Sequence, residues 1–385
     1  MADKLIPYGK HSIDEEDIQA VVDVLKSDWL TCGSKIEQFE NILSSYNGVK
    51  HAIAVCNGTA ALHLSMLTAG LAPGDEVITT PVTFLASVNS ILYTGAKPVF
   101  ADILIDSYTI DPEDIERKVT DKTKAILTVD LAGHPCDMRS IKSIADNYNL
   151  KIIQDSAHSL GSLYNDTSPG YYSDLAILSF HPVKHITTGE GGAILTNNSN
   201  YYGKIKSLRS HGILKESQKL TKYDGKWYYE VHELGYNYRI TDIQCALGIS
   251  QMKKLDFFLN KRREIVNKYN NAFSNYENIF IPVEKPGCRS AYHLYILRLD
   301  FDKIGRSRHD IVEELYNKCI NTQVHYIPVN MQPYYMKKLG CNPEDTPDAL
   351  EYYRTALSLP LYPSMTDDDV SFVIDNVLKT TGLSK

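Results

Sequence analysis

Three short stretches of this chain carry residues whose types and spacing could do chemistry. The first is Lys184, in SFHPVKHITTGEGG, which follows the apolar run Leu175-Ala176-Ile177-Leu178 and precedes Gly189, Gly191 and Gly192. Lysine is seldom buried, so a lysine between a strand-like run and a glycine-rich turn is either a solvated edge residue or a reactive amine. The second is Asp155, in KIIQDSAHSLGS, at the end of another apolar run and close to His158. The third is Asn57-Gly58-Thr59, directly after the apolar run 52–56. Glycine lets the backbone approach an anion, and the free amides of a helix's first turn attract phosphate. Singly, each has a plain structural explanation: a solvated lysine, a helix cap and an ordinary strand-to-helix turn.

Two other chemistries around Asp155 fare poorly. Ser156, Asp155 and His158 lie together, but no G-x-S-x-G elbow surrounds Ser156 to aim a nucleophile. A metal site would need another carboxylate or imidazole close by, and the stretch does not supply one, so no metal is expected. In an open α/β sheet, ligands bind at the carboxyl ends of the strands, and all three stretches fall at such ends. An amine, a carboxylate and an anion cradle meeting there match the needs of pyridoxal phosphate. That cofactor takes a lysine for its Schiff base, an acid to keep its pyridine nitrogen protonated, and a site for its phosphate. Partial burial near positive charge depresses an amine pKa and would keep Lys184 nucleophilic at neutral pH.

The elements that must position these residues follow from the hydrophobic pattern. Short apolar runs at 52–56, 76–79, 98–101, 125–129, 151–153, 175–179 and 193–196 alternate with amphipathic stretches such as 60–69 and 138–148. This is the pattern of parallel βαβ units with helices on both sheet faces. Ser12 and Glu15 have capping-box spacing ahead of a first helix, and Thr241 and Gln244 have it ahead of a second that runs on through 260–275. Beyond it the expected elements are strands at 277–282, 292–299 and 322–327 and helices near 308–320 and 346–357. The fold class is therefore α/β, with a mostly parallel central sheet in residues 1–255 and a smaller α+β unit in residues 256–385.

Composition narrows the setting. With 43% hydrophobic and 23% charged residues the chain is an ordinary globular protein, and a net charge of −7 without a basic block argues against a nucleic-acid surface. Seven scattered cysteines without a C-x-x-C suit reduced thiols in a cytoplasm, not a disulfide framework or zinc site. The N-terminus lacks the apolar core of a signal peptide and no run is long enough to span a membrane, so a soluble cytoplasmic protein is expected.

The motifs SFHPVKHITTGEGG, QDSAHSLGS, NGTAALHL, TPVTFLASVNS and LGYNYRITDIQCALGISQMKKL together resemble the DegT-type sugar aminotransferases, fold-type I pyridoxal-phosphate enzymes acting on keto nucleotide sugars. The likeness runs from WLTCGSKIEQFE to TQVHYIPVNMQPYY. Within the family, SFHPVKHITTGEGG and VHYIPV are most similar to members acting in pseudaminic acid synthesis. Those use glutamate to aminate UDP-2-acetamido-2,6-dideoxy-β-L-arabino-hex-4-ulose at C4.

The resemblance implies a role for each matching residue. Lys184 takes the place of the lysine that bonds the cofactor, and Asp155 that of the partner of the ring nitrogen. Gly58, Thr59 and Ser179 match phosphate contacts, Phe84 a stacked aromatic ring, and His158 a partner of the ring hydroxyl. Asn237 matches a residue that reaches the phosphate from a neighbouring subunit, which implies a homodimer. Tyr8, Thr31, Gly33, His325 and Tyr326 lie in segments that resemble sugar-nucleotide contacts. Some members carry histidine in place of the lysine and dehydrate the sugar; Lys184 favours transamination. A lyase or desulfurase on the same cofactor, and a binding protein that keeps it without catalysis, stay open at this point.

Overall fold

The computed structural model describes residues 5–383. The chain's strands in order begin with β1 (His51–Val55), β2 (Glu76–Thr79), β3 (Lys97–Phe100), β4 (Thr123–Val129), β5 (Lys151–Asp155), β6 (Leu163–Tyr164), β7 (Leu175–Ser179) and β8 (Gly192–Thr196). All except β6 join, among the described residues, in a seven-stranded sheet of order β1-β8-β7-β5-β4-β2-β3. Strands β2, β3, β4, β5 and β7 pair in parallel, while β8 runs antiparallel to both β1 and β7. The exception has a local cause. Segment 180–191 contains no crossover helix, and a chain that returns without one can only pair antiparallel. That return loop carries Lys184, closed by Phe180 N to Gly191 O at 2.9 Å and Thr188 N to Phe180 O at 3.1 Å.

Helices cover both faces, as buried parallel strands require. They are α1 (Glu15–Leu25), α2 (Ser34–Asn47), α3 (Gly58–Thr68), α4 (Leu85–Tyr93), α5 (Pro112–Arg117), α6 (Met138–Tyr148), α7 (Ser199–Arg209) and α8 (Asp242–Met252). Alternation along the strands sorts the two cores. Ile53, Val55, Ile177 and Ile194 pack with α3 and α7, whereas Ala52, Ala54, Ala176 and Leu178 pack with α2 and α8.

The later part of the chain contains α9 (Leu255–Phe273), α10 (Phe301–Ile304), α11 (Arg308–Asn317), α12 (Pro333–Leu339), α13 (Pro347–Thr355) and α14 (Asp367–Thr380). It also contains β11 (Ile279–Phe280), β13 (Tyr295–Leu299) and β14 (Ala356–Leu359), which form one antiparallel sheet. The intervening short strands are β9 (Ile213–Leu214), β10 (Glu230–Val231) and β12 (Cys288–Arg289). Residue 255 opens α9. Ile6, from the other end of the chain, packs in this C-terminal core with Tyr269, Leu297 and Val373, and its N–H donates to Cys319 O at 2.8 Å.

Four local expectations are corrected. Helix α1 is capped by Asp14 with Asp17, two residues later than Ser12 and Glu15. Helices α8 and α9 are separate, and Lys254 at the break pairs with Asp14 at 2.7 Å and Asp17 at 2.6 Å. Residues 322–327 form only a bridge from Gln323 to Ser358. The third strand of the small sheet is instead β14, where alternating Leu357 and Leu359 enter the core and the helix expected to reach 357 stops at Thr355. Thr241 and Gln244 do form the expected capping box. All seven cysteines are free, and no helix among the described residues is long and apolar enough to cross a membrane.

Two contacts tie the parts together. Asp102, after β3, accepts from the Asp348 and Ala349 amides at 2.9 Å each, capping α13. Arg262 of α9 is fully buried and donates to His293 O at 3.1 Å and Leu361 O at 2.9 Å. Burial holds its guanidinium pKa down to about 10. Removing a buried charged donor orphans the carbonyls it serves. Arg262→Ala is therefore expected to destabilise the protein by about 3 kcal/mol, read as a lower urea midpoint; an unchanged midpoint would contradict this role.

Candidate active site

The carboxyl ends of β1, β5 and β7 open into one cavity of about 440 Å³. Tyr8, Gly58, Thr59, Phe84, Asp155, His158, Ser179, Lys184, His325 and Tyr326 all line it. The cavity thus joins residues that are far apart in sequence.

Asp155 ends β5 and is buried. Its Oδ2 accepts from Ser87 Oγ at 2.8 Å and its Oδ1 from the Ala157 amide at 3.1 Å. Burial raises its pKa, opposed by those two donors and by Lys184. Lys184 lies in the return loop with its backbone N–H on His181 O at 2.9 Å. Among the described residues no hydrogen bond ties its Nζ. Burial, opposed by Asp155, pulls its pKa down to about 8. An amine with a lowered pKa can bond a carbonyl carbon, and a carboxylate held by two donors in the same cavity can face a cationic ring nitrogen.

The anion cradle is built by the start of α3. Asn57 caps it, its Oδ1 accepting from the Ala60 amide at 2.8 Å, while the amides of Gly58 and Thr59 belong to the first turn, which has no intrahelical acceptors. A Cβ on Gly58 would come within 3.2 Å of Ser179 Cβ, and one on Gly192 would lie 2.6 Å from the Asn57 carbonyl. The close backbone approach of β1, β8 and α3 is what leaves these amides facing the cavity beside Thr59 and Ser179.

On the opposite wall His158 is buried, and burial with Lys184 nearby holds its pKa well below the usual imidazole range. Its Nδ1 accepts from the Ala132 amide at 3.3 Å, so the proton of the neutral ring sits on Nε2, which meets Tyr326 OH at 3.3 Å. His325 shares a 2.9 Å hydrogen bond with Ser358 Oγ, and its ring lies 5.2 Å from that of Tyr8. Phe84, at the N-cap of α4, is 57% exposed, with its ring 5.8 Å from Tyr326.

Three expected site residues do not reach this cavity within one chain. Thr31 is exposed and bridges to Thr241. Gly33 donates its N–H to Asp242 Oδ2 at 2.8 Å, and a Cβ there would come 2.7 Å from Asp242 Oδ1. Both are therefore pinned to the N-terminus of α8. Asn237 is exposed on a segment whose flanking Tyr236 and Tyr238 pack on His63. Conversely, sequence reading gave no role to Ser87, His181, Glu190 and His293, which also line the cavity. Ser87 sits within TPVTFLASVNS beside Phe84, where its hydroxyl gave no signal apart from an ordinary helical serine.

The residues present fit pyridoxal phosphate. The glycine cradle that a Cβ would fill suits a phosphate, Asp155 suits a pyridinium, and the unbonded Lys184 Nζ suits an aldehyde carbon.

Residues 11–378 match the model of the DegT/DnrJ/EryC1/StrS aminotransferase family. The spore coat polysaccharide biosynthesis protein SpsC of Bacillus subtilis is 42% identical to this chain, over 97% of it and 96% of SpsC. The UDP-4-amino-4,6-dideoxy-N-acetyl-beta-L-altrosamine transaminase of Campylobacter jejuni is 39% identical, over 97% of this chain and 96% of that protein. The structure of Helicobacter pylori PseC, an aminotransferase involved in the biosynthesis of pseudoaminic acid, matches with a TM-score of 0.92 at 34% identity. It covers 98% of this chain, which covers 100% of it.

An amine reacts through its lone pair, which is free only above its pKa. Pyridoxal phosphate added to cofactor-free protein is expected to bond faster as pH rises towards about 8 and to level off above it. The rise of visible absorbance follows the rate; a rate that keeps climbing towards about pH 10, as for a solvated lysine, would contradict the depressed value.

Proposed function

Because the chain belongs to the DegT/DnrJ/EryC1/StrS aminotransferase family, we propose that it moves the amino group of L-glutamate to the C4 ketone of UDP-2-acetamido-2,6-dideoxy-β-L-arabino-hex-4-ulose in pseudaminic acid synthesis. The observation that carries the reaction is that Lys184 and the buried Asp155 line one cavity beside the start of α3. The likeness to the Campylobacter transaminase and to PseC supports the choice of sugar.

Pyridoxal phosphate, when bound, supplies an electron sink for the pair left behind when a C–H bond beside the amine breaks. Lys184 would be the point of covalent attachment. Its Nζ would take the proton from the donor's α-carbon and deliver it onward, as its lowered pKa suits it to do near neutral pH. Asp155 would hold the ring nitrogen through its negative charge, and His158 would hold the ring hydroxyl. Thr59, Ser179 and the first-turn amides of α3 would hold the phosphate, and Phe84 would stack on the ring. Tyr8, His325 and Tyr326 contact the sugar nucleotide. Water supplies the keto oxygen of 2-oxoglutarate in the first half-reaction, and the sugar's ketone oxygen leaves as water in the second. Both halves use one cavity, so ping-pong kinetics follow.

In this reading residues 1–255 hold the cofactor, residues 256–385 form the smaller unit, and the enzyme works in the cytoplasm. It is a homodimer in which Asn237 reaches the neighbouring subunit's phosphate; its exposure in a single chain supports this. Thr31 and Gly33 would likewise act across the interface. A second acceptor class has its own support. The 42% identity to SpsC favours testing other 4-keto or 3-keto nucleotide sugars.

Incubation with glutamate and each of a UDP-linked 4-keto, a dTDP-linked 4-keto and a 3-keto sugar tests the choice by mass spectrometry of the amino sugar. The UDP-linked 4-keto-N-acetyl sugar is expected to show a kcat/KM at least about tenfold above the others. A preference for another sugar would replace this acceptor, and release of 2-oxoglutarate with no amino sugar from any of them would remove the class.

A further inference from the structure

Behind Asp155 lies a buried pair of hydroxyls that the reaction does not itself require. Ser87 Oγ donates to Asp155 Oδ2 at 2.8 Å, and Thr83 Oγ1 lies 2.7 Å from Ser87 Oγ. Thr83 and Ser87 are 1% and 0% exposed. A serine has one hydroxyl hydrogen, and an ionised carboxylate can only accept. With the Ser87 hydrogen committed to Asp155, Ser87 must accept from Thr83, so the chain runs Thr83 O–H to Ser87 O–H to Asp155. Its polarity is fixed by the negative charge at its end. Were Asp155 protonated, the chain could run in reverse. Polarised hydroxyls in series strengthen one another in a dry interior.

We propose that Ser87, backed by Thr83, is a positioning residue that keeps Asp155 anionic and turned towards the cofactor's ring nitrogen. This rests on the reading that pyridoxal phosphate sits against Asp155. The Ala157 amide orients Oδ1, so Ser87 is the side chain that decides the state of Oδ2. The other titratable groups facing Asp155 come from separate elements: Lys184 from the return loop, Tyr326 from the C-terminal part and His158 from the turn after β5. Lys184 favours the anion, and the Ser87 hydrogen bond does so as well. Losing Ser87 therefore raises the pH at which Asp155 takes up a proton.

The test measures the dissociation constant of pyridoxal phosphate against pH for wild type, Ser87→Ala, Ser87→Thr and Thr83→Val, by quenching of intrinsic fluorescence. In Ser87→Ala the constant is expected to rise about tenfold at neutral pH, the effect of a lost hydrogen bond to a charge. The midpoint of the acid-side loss of binding should move up by about one pH unit. Ser87→Thr, which keeps the hydroxyl, should restore both, and Thr83→Val should shift the midpoint in the same direction by less. A merely structural role would weaken binding without moving the midpoint. Should Ser87→Ala not fold, the Thr83→Val midpoint decides. An acid-side midpoint unchanged in the folded variants would overturn the proposal. Wild type that fails to bind pyridoxal phosphate at all would instead overturn the reading beneath it.

Discussion

The site depends on one constraint: a lysine and an aspartate must share one cavity at the strand ends. Desolvation disfavours both charges, pushing the Lys184 amine down to about 8 and the Asp155 carboxyl up. Each then favours the charged form of the other, so neither is tolerable alone. Asp155 keeps its charge through three aids, namely Ser87, the Ala157 amide and Lys184. Among the described residues the amine receives no such hydrogen bonds, so it is not tied down. The same low-dielectric interior thus gives an anchored anion and a free nucleophile, depending only on how many donors each group meets.

The fold supplies this asymmetry cheaply, because strand ends expose groups that strand interiors bury. Asp155 stands where β5 ends and Lys184 where β7 turns back into β8. The phosphate cradle stands where β1 meets α3, and there Gly192 and the Asn57 carbonyl approach too closely for any side chain. The antiparallel β8 is the part that breaks the parallel rule, and it does so at the loop that presents the lysine. The C-terminal part adds His293, His325 and Tyr326 to the same cavity, held in place by Arg262 and by the Asp102 cap on α13.

Much of this was legible in the sequence. The strand runs at 76–79 and 175–179 are those of β2 and β7, and the capping pair Thr241 and Gln244 marks the start of α8. Lys184, Asp155 and Gly58 stood out because each residue type is unusual at its position. Ser87 did not, since a serine in a helix is commonplace and only the fold shows where its hydroxyl points. The small sheet was misread at 322–327 because one isolated bridge and a true strand share the same apolar alternation, and pairing partners decide between them. The capping residue of α1 was misplaced because Ser12 and Asp14 offer equivalent side-chain acceptors. Thr31, Gly33 and Asn237 lie outside the cavity of a single chain, and no pattern in one sequence says which surface a second copy would cover.

The central claim is that Lys184 carries the cofactor. Borohydride reduction of the protein loaded with pyridoxal phosphate, followed by digestion and peptide mass spectrometry, tests it most directly. The account predicts a pyridoxyl group on the peptide containing Lys184 and its absence from the Lys184→Ala protein. A pyridoxyl group on another lysine, or none in the wild-type protein, would contradict it.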